Sequence, residues 1–240
     1  GRQVASGLMT YQGENENFFM AMIEPPARTT TEDLLPREYI YIVDVSGSMS
    51  AMDKLGLAKE SMDTLVSNLQ EGDTVAIATY AGRVARVLRP TDVEHSSPIH
   101  QAIDSLYSGG STAMSSGIDL AYEMADASFE RGAENRVVIL SDGDANVGAT
   151  SWERMLSQIK GYADQGITLS TIGFGQGNYR DTLMEQLANK GDGNNFYVDS
   201  QDESDRIFGE KIAGTMITVA RDTKIQVEFN PDAVESYRLV

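Results

Sequence analysis

Asp44, Ser46 and Ser48 alternate in the pentapeptide Asp44-Val-Ser-Gly-Ser48, directly after the apolar run Tyr39-Ile-Tyr-Ile-Val43. A carboxylate and two hydroxyls at the exit of a buried strand can point three oxygens at one cation. Mg²⁺ is a hard ion that requires near-octahedral oxygen ligands, so it is the chemistry these residue types suit. Gly47 lets the backbone turn tightly enough to bring them together. The plainer alternative is an ordinary strand-to-helix turn, in which a Ser or Asp only caps the next helix.

Two later segments extend the set. After a helical stretch around Ile99, Ile103 and Leu106, the glycine-rich turn Ser108-Gly-Gly-Ser-Thr112 places the Thr112 hydroxyl at the start of another helix, where it could equally be a cap. Arg136-Val-Val-Ile-Leu140 is a second short apolar run, and it ends in Ser141-Asp142-Gly143. In an open parallel sheet, ligands gather beyond the carboxyl ends of the strands where strand order reverses. Asp44 and Asp142, each at a strand's exit, are expected to converge there.

In that order and at these intervals, the DVSGS string, the Thr of GGST and the Asp of SDGD resemble the metal-ion-dependent adhesion site of von Willebrand factor type A domains. The resemblance spans residues 37–219 and is most like bacterial members. It implies that Ser46, Ser48 and Thr112 contact the metal through their hydroxyls, while Asp44 and Asp142 act directly or through water. It also implies a binding role rather than catalysis, and a protein ligand that presents Asp or Glu. Mg²⁺ or Mn²⁺ is the expected ion, with Ca²⁺ as a third candidate. Met49 and Met114, which flank the site together with Met52, are expected to form a partner-binding rim with Asp144 and Asn146, because methionine adapts to varied surfaces.

The intervening segments must position these residues. Apolar residues at 55, 58, 62, 65, 66 and 69 form a helical stripe over 54–69. Residues 73–80 and 83–88 read as strands joined by a hairpin at Ala81-Gly82. Helices over 115–129, 152–163, 179–187 and 204–219 alternate with strands over 167–173 and 195–198. Such alternation predicts an α/β fold: a Rossmann-like, doubly wound, mostly parallel sheet with one antiparallel edge strand and helices on both faces.

The ends lie outside that series. Phe18–Ile23 and Lys224–Phe229 read as strands and are expected to pair, giving a small β appendage from residues 1–36 and 220–240 around the 37–219 domain. Bacterial type A proteins and the heavy chains of inter-α-inhibitors resemble this chain in carrying β-rich pieces on either side. The chain stops in a strand-like stretch, 237–240, as a piece excised from a longer protein would.

Composition excludes several functions. A formal net charge of −17 and the lack of any Lys/Arg cluster argue against nucleic acid and against docking on anionic lipid. With no cysteine, disulfides, thiolate catalysis and sulfur-bound zinc are ruled out. No apolar run approaches the roughly 18 residues of a membrane span. The string from Asp142 to Glu153 resembles a helix-loop-helix calcium loop, but Val147 stands where that loop needs glycine. Gly173-Phe-Gly-Gln-Gly177 lacks the dinucleotide spacing. A dehalogenase-type phosphoryl transferase needs an Asp where Ser46 stands, and a serine hydrolase needs a paired histidine, whereas His95 and His100 read as surface residues. The expected function is therefore a metal-dependent, non-enzymatic protein-binding module on a bacterial surface or otherwise outside the cytoplasm. A metal-dependent hydrolase or a chelatase-associated subunit is the alternative.

Overall fold

Unbroken apolar runs make strands that are buried on both faces, and this chain places two of them at the centre of its sheet. A computed structural model describes residues 5–14, 16–24, 35–111, 113–144, 149–175, 181–211, 226–230, 232 and 234–238. Strands β1 (Ala5–Gln12) and β2 (Asn17–Glu24) form a two-stranded antiparallel sheet. There follow β3 (Arg37–Asp44), α1 (Leu57–Ser67), β4 (Thr74–Tyr80), β5 (Val84–Asp92), α2 (Ser96–Asp104), α3 (Met114–Ser128) and β6 (Glu134–Ser141). The series ends with α4 (Ala149–Ala163), β7 (Ile167–Phe174), α5 (Asp181–Lys190), β8 (Asp192–Val198) and α6 (Gln201–Ser204).

The six-stranded sheet has the order β5-β4-β3-β6-β7-β8. All its pairs are parallel except β4 with β5. The chain winds outward from β3 to β4 and β5, then returns to β6 on the other side of β3. That reversal puts the switch point between the exits of β3 and β6.

Alternation along β3 divides the core in two. Tyr39, Tyr41 and Val43 pack with Met62 and Leu65 of α1 and Ile99 and Ile103 of α2. Ile40 and Ile42 face the opposite way, toward Ile118 and Tyr122 of α3, Ile159 of α4 and Leu187 of α5. Helices therefore cover both faces, and β3 cannot slip by one residue without turning both sets over. On the second face the packing is tight at Gly117 of α3. A Cβ there would lie 2.7 Å from Tyr80 Cβ and 2.8 Å from Ile42 Cδ1.

Two helix boundaries differ from the periodicity. The stripe beginning at Leu55 predicts a helix from residue 54, but a π-helical turn, Met52–Gly56, precedes α1. The last helix, expected over 204–219, is α6 followed by a π-helical stretch, Asp205–Lys211. Residues 212–219 lie outside the described residues. Ser61 and Ser204 hydroxyls meet at 2.7 Å and tie α6 to α1.

The termini also differ. The chain divides into two compact units, residues 1–27 with 218–240, and residues 28–217. Within the first, the described residues show a local hairpin, while residues 224 and 225 of the expected 18–23/224–229 ladder lie outside the described residues. Along its whole length β2 pairs with β1, and residues 226–230 carry no strand. A neighbouring strand costs less loop-closure entropy than one two hundred residues away. The C-terminal segment meets the hairpin through side chains: Phe19 lies edge-on to Phe229, ring centroids 5.6 Å apart, and Arg238 pairs with Glu16.

At the amino ends of the parallel strands lies a buried ionic layer. The Arg37 guanidinium forks onto the Asp73 carboxylate, which also accepts from the Arg37 and Gln70 backbone amides. Glu38 is buried nearby, and burial pushes its carboxyl from 4.5 up to about 7, with the charge of Glu130 adding and the Ser128 hydroxyl opposing.

Two outcomes are expected. Gly117→Ala should destabilise the domain by about 1–3 kcal/mol through overpacking, read by urea unfolding; an unchanged midpoint would contradict the close helix-to-sheet approach. The folded state also holds a proton on Glu38 that the unfolded chain releases near 4.5, so this contribution to stability is complete below 4.5 and lost as pH rises to about 7. Glu38→Gln should therefore melt higher than the parent at pH 8 and match it at pH 4. Equal shifts at both pH values would show that Glu38 ionises freely.

Candidate metal centre

The register of the central strands assembles the site. Val43 pairs with Leu140 and Asp44 with Tyr80, so Asp44 leaves β3 beside Ser141, the last residue of β6, and Asp142, which follows it. Asp44 is buried, and both of its oxygens are engaged. Oδ1 accepts from the Ser46 amide at 2.9 Å, and Oδ2 accepts from the Ser141 hydroxyl at 2.9 Å. Burial raises the Asp44 carboxyl above its usual range, against the pull of the Ser46 and Ser141 hydrogen bonds, and the Asp142 charge adds to the rise. The Tyr80 phenol is buried alongside. Burial, reinforced by the Asp44 charge, keeps it protonated far above its ordinary range.

Ser46 stands at the start of a 3₁₀ turn, Gly47–Ser50, yet its side chain makes no capping bond. Its hydroxyl instead lies 2.9 Å from that of Ser48. That spacing tests whether an ion fits. Oxygens held at about 2.0–2.1 Å from Mg²⁺ in adjacent octahedral positions lie roughly 2.9 Å from each other. The separation is that of a hydrogen bond between the two hydroxyls and is also compatible with neighbouring positions on a hard cation, which this oxygen donor set would suit. Among the described residues no three His, Cys, Asp or Glu side chains gather as a metal-ligating group.

Backbone bonds fix the first loop against the glycine turn. The Gly47 amide donates to the Gly110 carbonyl at 3.0 Å, and the Gly109 amide donates to the Val45 carbonyl at 2.7 Å. Gly110 has φ +91°, and a Cβ there would lie 3.1 Å from the Gly82 nitrogen. Only glycine fits that approach without strain. Thr112 lies outside the described residues, two positions beyond this anchor. A groove of ≈ 570 Å³ runs beside the paired loops, lined by Val45, Gly82, Leu106, Tyr107 and Gly110 among others.

The second carboxylate is held differently. Asp142 is buried; its Oδ1 accepts from the Asp144 amide at 3.1 Å, and its Oδ2 accepts from Lys54 Nζ at 2.8 Å. Lys54 and Ser141 were not among the expected site residues. Ser141 could have been suspected from its place beside Asp142, but nothing local marks Lys54.

The rim requires a correction. Met49 and Met114 are buried core residues, packed against opposite faces of the sheet, so neither offers a surface to a partner. Met52, 83% exposed, does. Asp144 is exposed, and Asn146 lies outside the described residues. His100 bonds Asp63 at 2.7 Å on the surface between α1 and α2, as its surface reading predicts.

An open, doubly wound sheet with hydroxyls and carboxylates at its switch point defines a Rossmann-like domain, an architecture in which ligands lie beyond the strand ends. The family model described as von Willebrand factor type A domain matches residues 40–210, and the chain belongs to that family. A second model, described as "Uncharacterized protein YfbK, C-terminal", matches residues 214–240. The chain is 38% identical over 210 residues to "Uncharacterized protein YfbK" of Escherichia coli (strain K12), a match covering 88% of this chain and 36% of that protein. It thus spans about a third of that relative's length. Among solved structures, a von Willebrand factor type A protein from Catenulispora acidiphila superposes with TM-score 0.66 at 18% identity, covering 90% of this chain and 46% of that one. Proximal thread matrix protein 1 from the mussel byssus, with a zinc-occupied MIDAS motif, superposes with TM-score 0.58 at 23% identity, covering 74% and 45%. Among the described residues no helix is long and apolar enough to cross a membrane.

Asp44 answers two donors, so the consequence of replacing it depends on what remains. Removing this carboxylate relieves its repulsion with Asp142, but Asp44→Ala also strips acceptors from the Ser46 amide and the Ser141 hydroxyl. In chelator, Asp44→Ala should cost about 1–3 kcal/mol for the unsatisfied donors, whereas Asp44→Asn, whose oxygen can accept from the Ser46 amide while its NH2 donates to a rotated Ser141 hydroxyl, should stay nearer the parent. Equal losses in the two variants by denaturant unfolding would contradict this.

Proposed function

We propose that residues 37–219 form a metal-dependent protein-binding module that takes an Asp or Glu side chain of a partner through one divalent ion. The observation that carries this reading is the 2.9 Å separation of the Ser46 and Ser48 hydroxyls, beside two carboxylates from adjacent strand ends. Family membership supports a binding rather than a catalytic role. Ser46, Ser48 and Thr112 would hold the ion through hydroxyls, with Asp44 and Asp142 directly or through water. Mg²⁺ or Mn²⁺ fits this hard-oxygen set, with Ca²⁺ as a third candidate. The zinc in the motif of the mussel protein supports the motif's capacity for a divalent ion.

The residues themselves explain why the partner should be acidic. Hydroxyls carry no formal charge, so at most two carboxylates neutralise the ion, which when bound supplies a Lewis-acidic point for a further oxygen. A chain of net charge −17 repels an acidic partner everywhere else. The site reverses that sign locally, and a carboxylate can meet it with a charge-assisted bond. Met52 and Asp144 frame the approach. The setting that goes with this reading is a cell surface or another extracytoplasmic location.

Calorimetry with Mn²⁺ should show one site per chain, with affinity falling at least about tenfold in Ser48→Ala and in Thr112→Ala as each removes a neutral oxygen ligand. Affinity capture from the native source should yield a partner that chelator releases and Mg²⁺ restores, with one partner Asp or Glu essential. A partner retained in chelator, or indifferent to every single acidic substitution, would contradict the mechanism.

A further inference from the structure

Lys54 reaches Asp142 from a long way off in the chain. It sits in the π-helical turn Met52–Gly56, and its ammonium donates to Asp142 Oδ2 at 2.8 Å across 88 residues of sequence. The Lys54 side chain is 22% exposed and that of Asp142 3% exposed, so the pair is largely withdrawn from solvent. The stem lies in a prepared channel. Gly175, just past β7, has φ +101°, and a Cβ there would fall 2.8 Å from Lys54 Cε and 3.0 Å from Cγ. Gly175 is held in place by its own bonds: its amide donates to the Val198 carbonyl, and its carbonyl accepts from the Tyr197 hydroxyl. Three elements thus combine to deliver one ammonium to one carboxylate.

We infer that Lys54 is a tethered cation that competes with the divalent ion for Asp142 and sets the affinity of the site. The inference rests on the metal-site reading above. With both carboxylates ionised and Lys54 charged, the metal-free cluster carries one net negative charge, where without Lys54 it would carry two. In the metal-free protein the ammonium keeps Asp44 and Asp142 from facing each other uncompensated, which stabilises that state. A divalent ion must then share or displace the lysine, and it meets a weaker field than two carboxylates alone would provide. The loaded cluster carries one net positive charge instead of none. That surplus is available to an acidic side chain from a partner, so the same lysine that weakens binding of the bare ion favours the ion and the partner carboxylate arriving together.

The test is Mn²⁺ calorimetry at neutral pH on the parent, Lys54→Met and Lys54→Arg, with thermal unfolding of each in chelator and in excess Mn²⁺. Lys54→Met keeps the stem in its channel and removes the charge. It should bind Mn²⁺ about tenfold more tightly than the parent, as expected when a like charge leaves a partly buried site. Lys54→Arg, which keeps the charge, should stay within about threefold of the parent on the same ground. Lys54→Met should also melt lower than the parent in chelator and gain more from Mn²⁺ than the parent does. Equal or weaker Mn²⁺ binding by Lys54→Met, with the parent binding normally, overturns the role of Lys54 and leaves the metal site standing. Absence of Mn²⁺ binding in both overturns the two together.

Discussion

A carboxylate buried at the end of a central strand must be answered by hydrogen bonds or by charge, and the upper end of this domain is arranged around that requirement at Asp44. The Ser46 amide and the Ser141 hydroxyl take one oxygen each. Asp142, next to it just past the end of the neighbouring strand, takes the Lys54 ammonium and the Asp144 amide. These bonds come from three stretches of sequence, 44–46, 54 and 141–144. They coincide only because β3 and β6 run parallel and in register at the reversal of strand order. The fold matters to the site through that single adjacency.

The remaining elements hold the adjacency in place. Residues of alternating face along β3 engage two separate cores, so the exit of Asp44 is fixed in both height and direction. Gly117 lets α3 settle directly on Ile42 and Tyr80, and the turn that precedes α3 is stapled to the first loop through Gly47, Gly109 and Gly110.

Much of this architecture is legible in the sequence because its signals are local. The apolar runs at 39–43 and 136–140, the Ala81-Gly82 turn and the helical stripes each depend on neighbouring residues, and among the described residues each overlaps an element of the matching kind, apart from the π-helical ends at 52–56 and 205–211. DVSGS, with its three oxygens in five residues, is local in the same sense. What could not be read depends on partners distant in the chain. Met49 and Met114 look like surface companions of the motif, but the sheet's two faces bury them. Lys54 looks like an ordinary helical surface lysine, and only the position of β6 and the gap at Gly175 give it a partner. The terminal strand at Phe18–Ile23 was evident from its composition. Its pairing with 5–12 was not, because alternation states that a strand exists without stating which edge it joins.

The central claim is that the oxygens of Asp44, Ser46, Ser48, Thr112 and Asp142 surround one ion. The most direct measurement is a crystal structure of the protein with Mn²⁺, using the anomalous signal of the metal. The account predicts a single strong peak beyond the ends of β3 and β6, at about 2.0–2.2 Å from the Ser46 and Ser48 hydroxyls, a distance typical of hard divalent ions of this size. A map with no peak there, or with its strongest peak elsewhere on the acidic surface while the two serine hydroxyls remain bonded to each other, would contradict it.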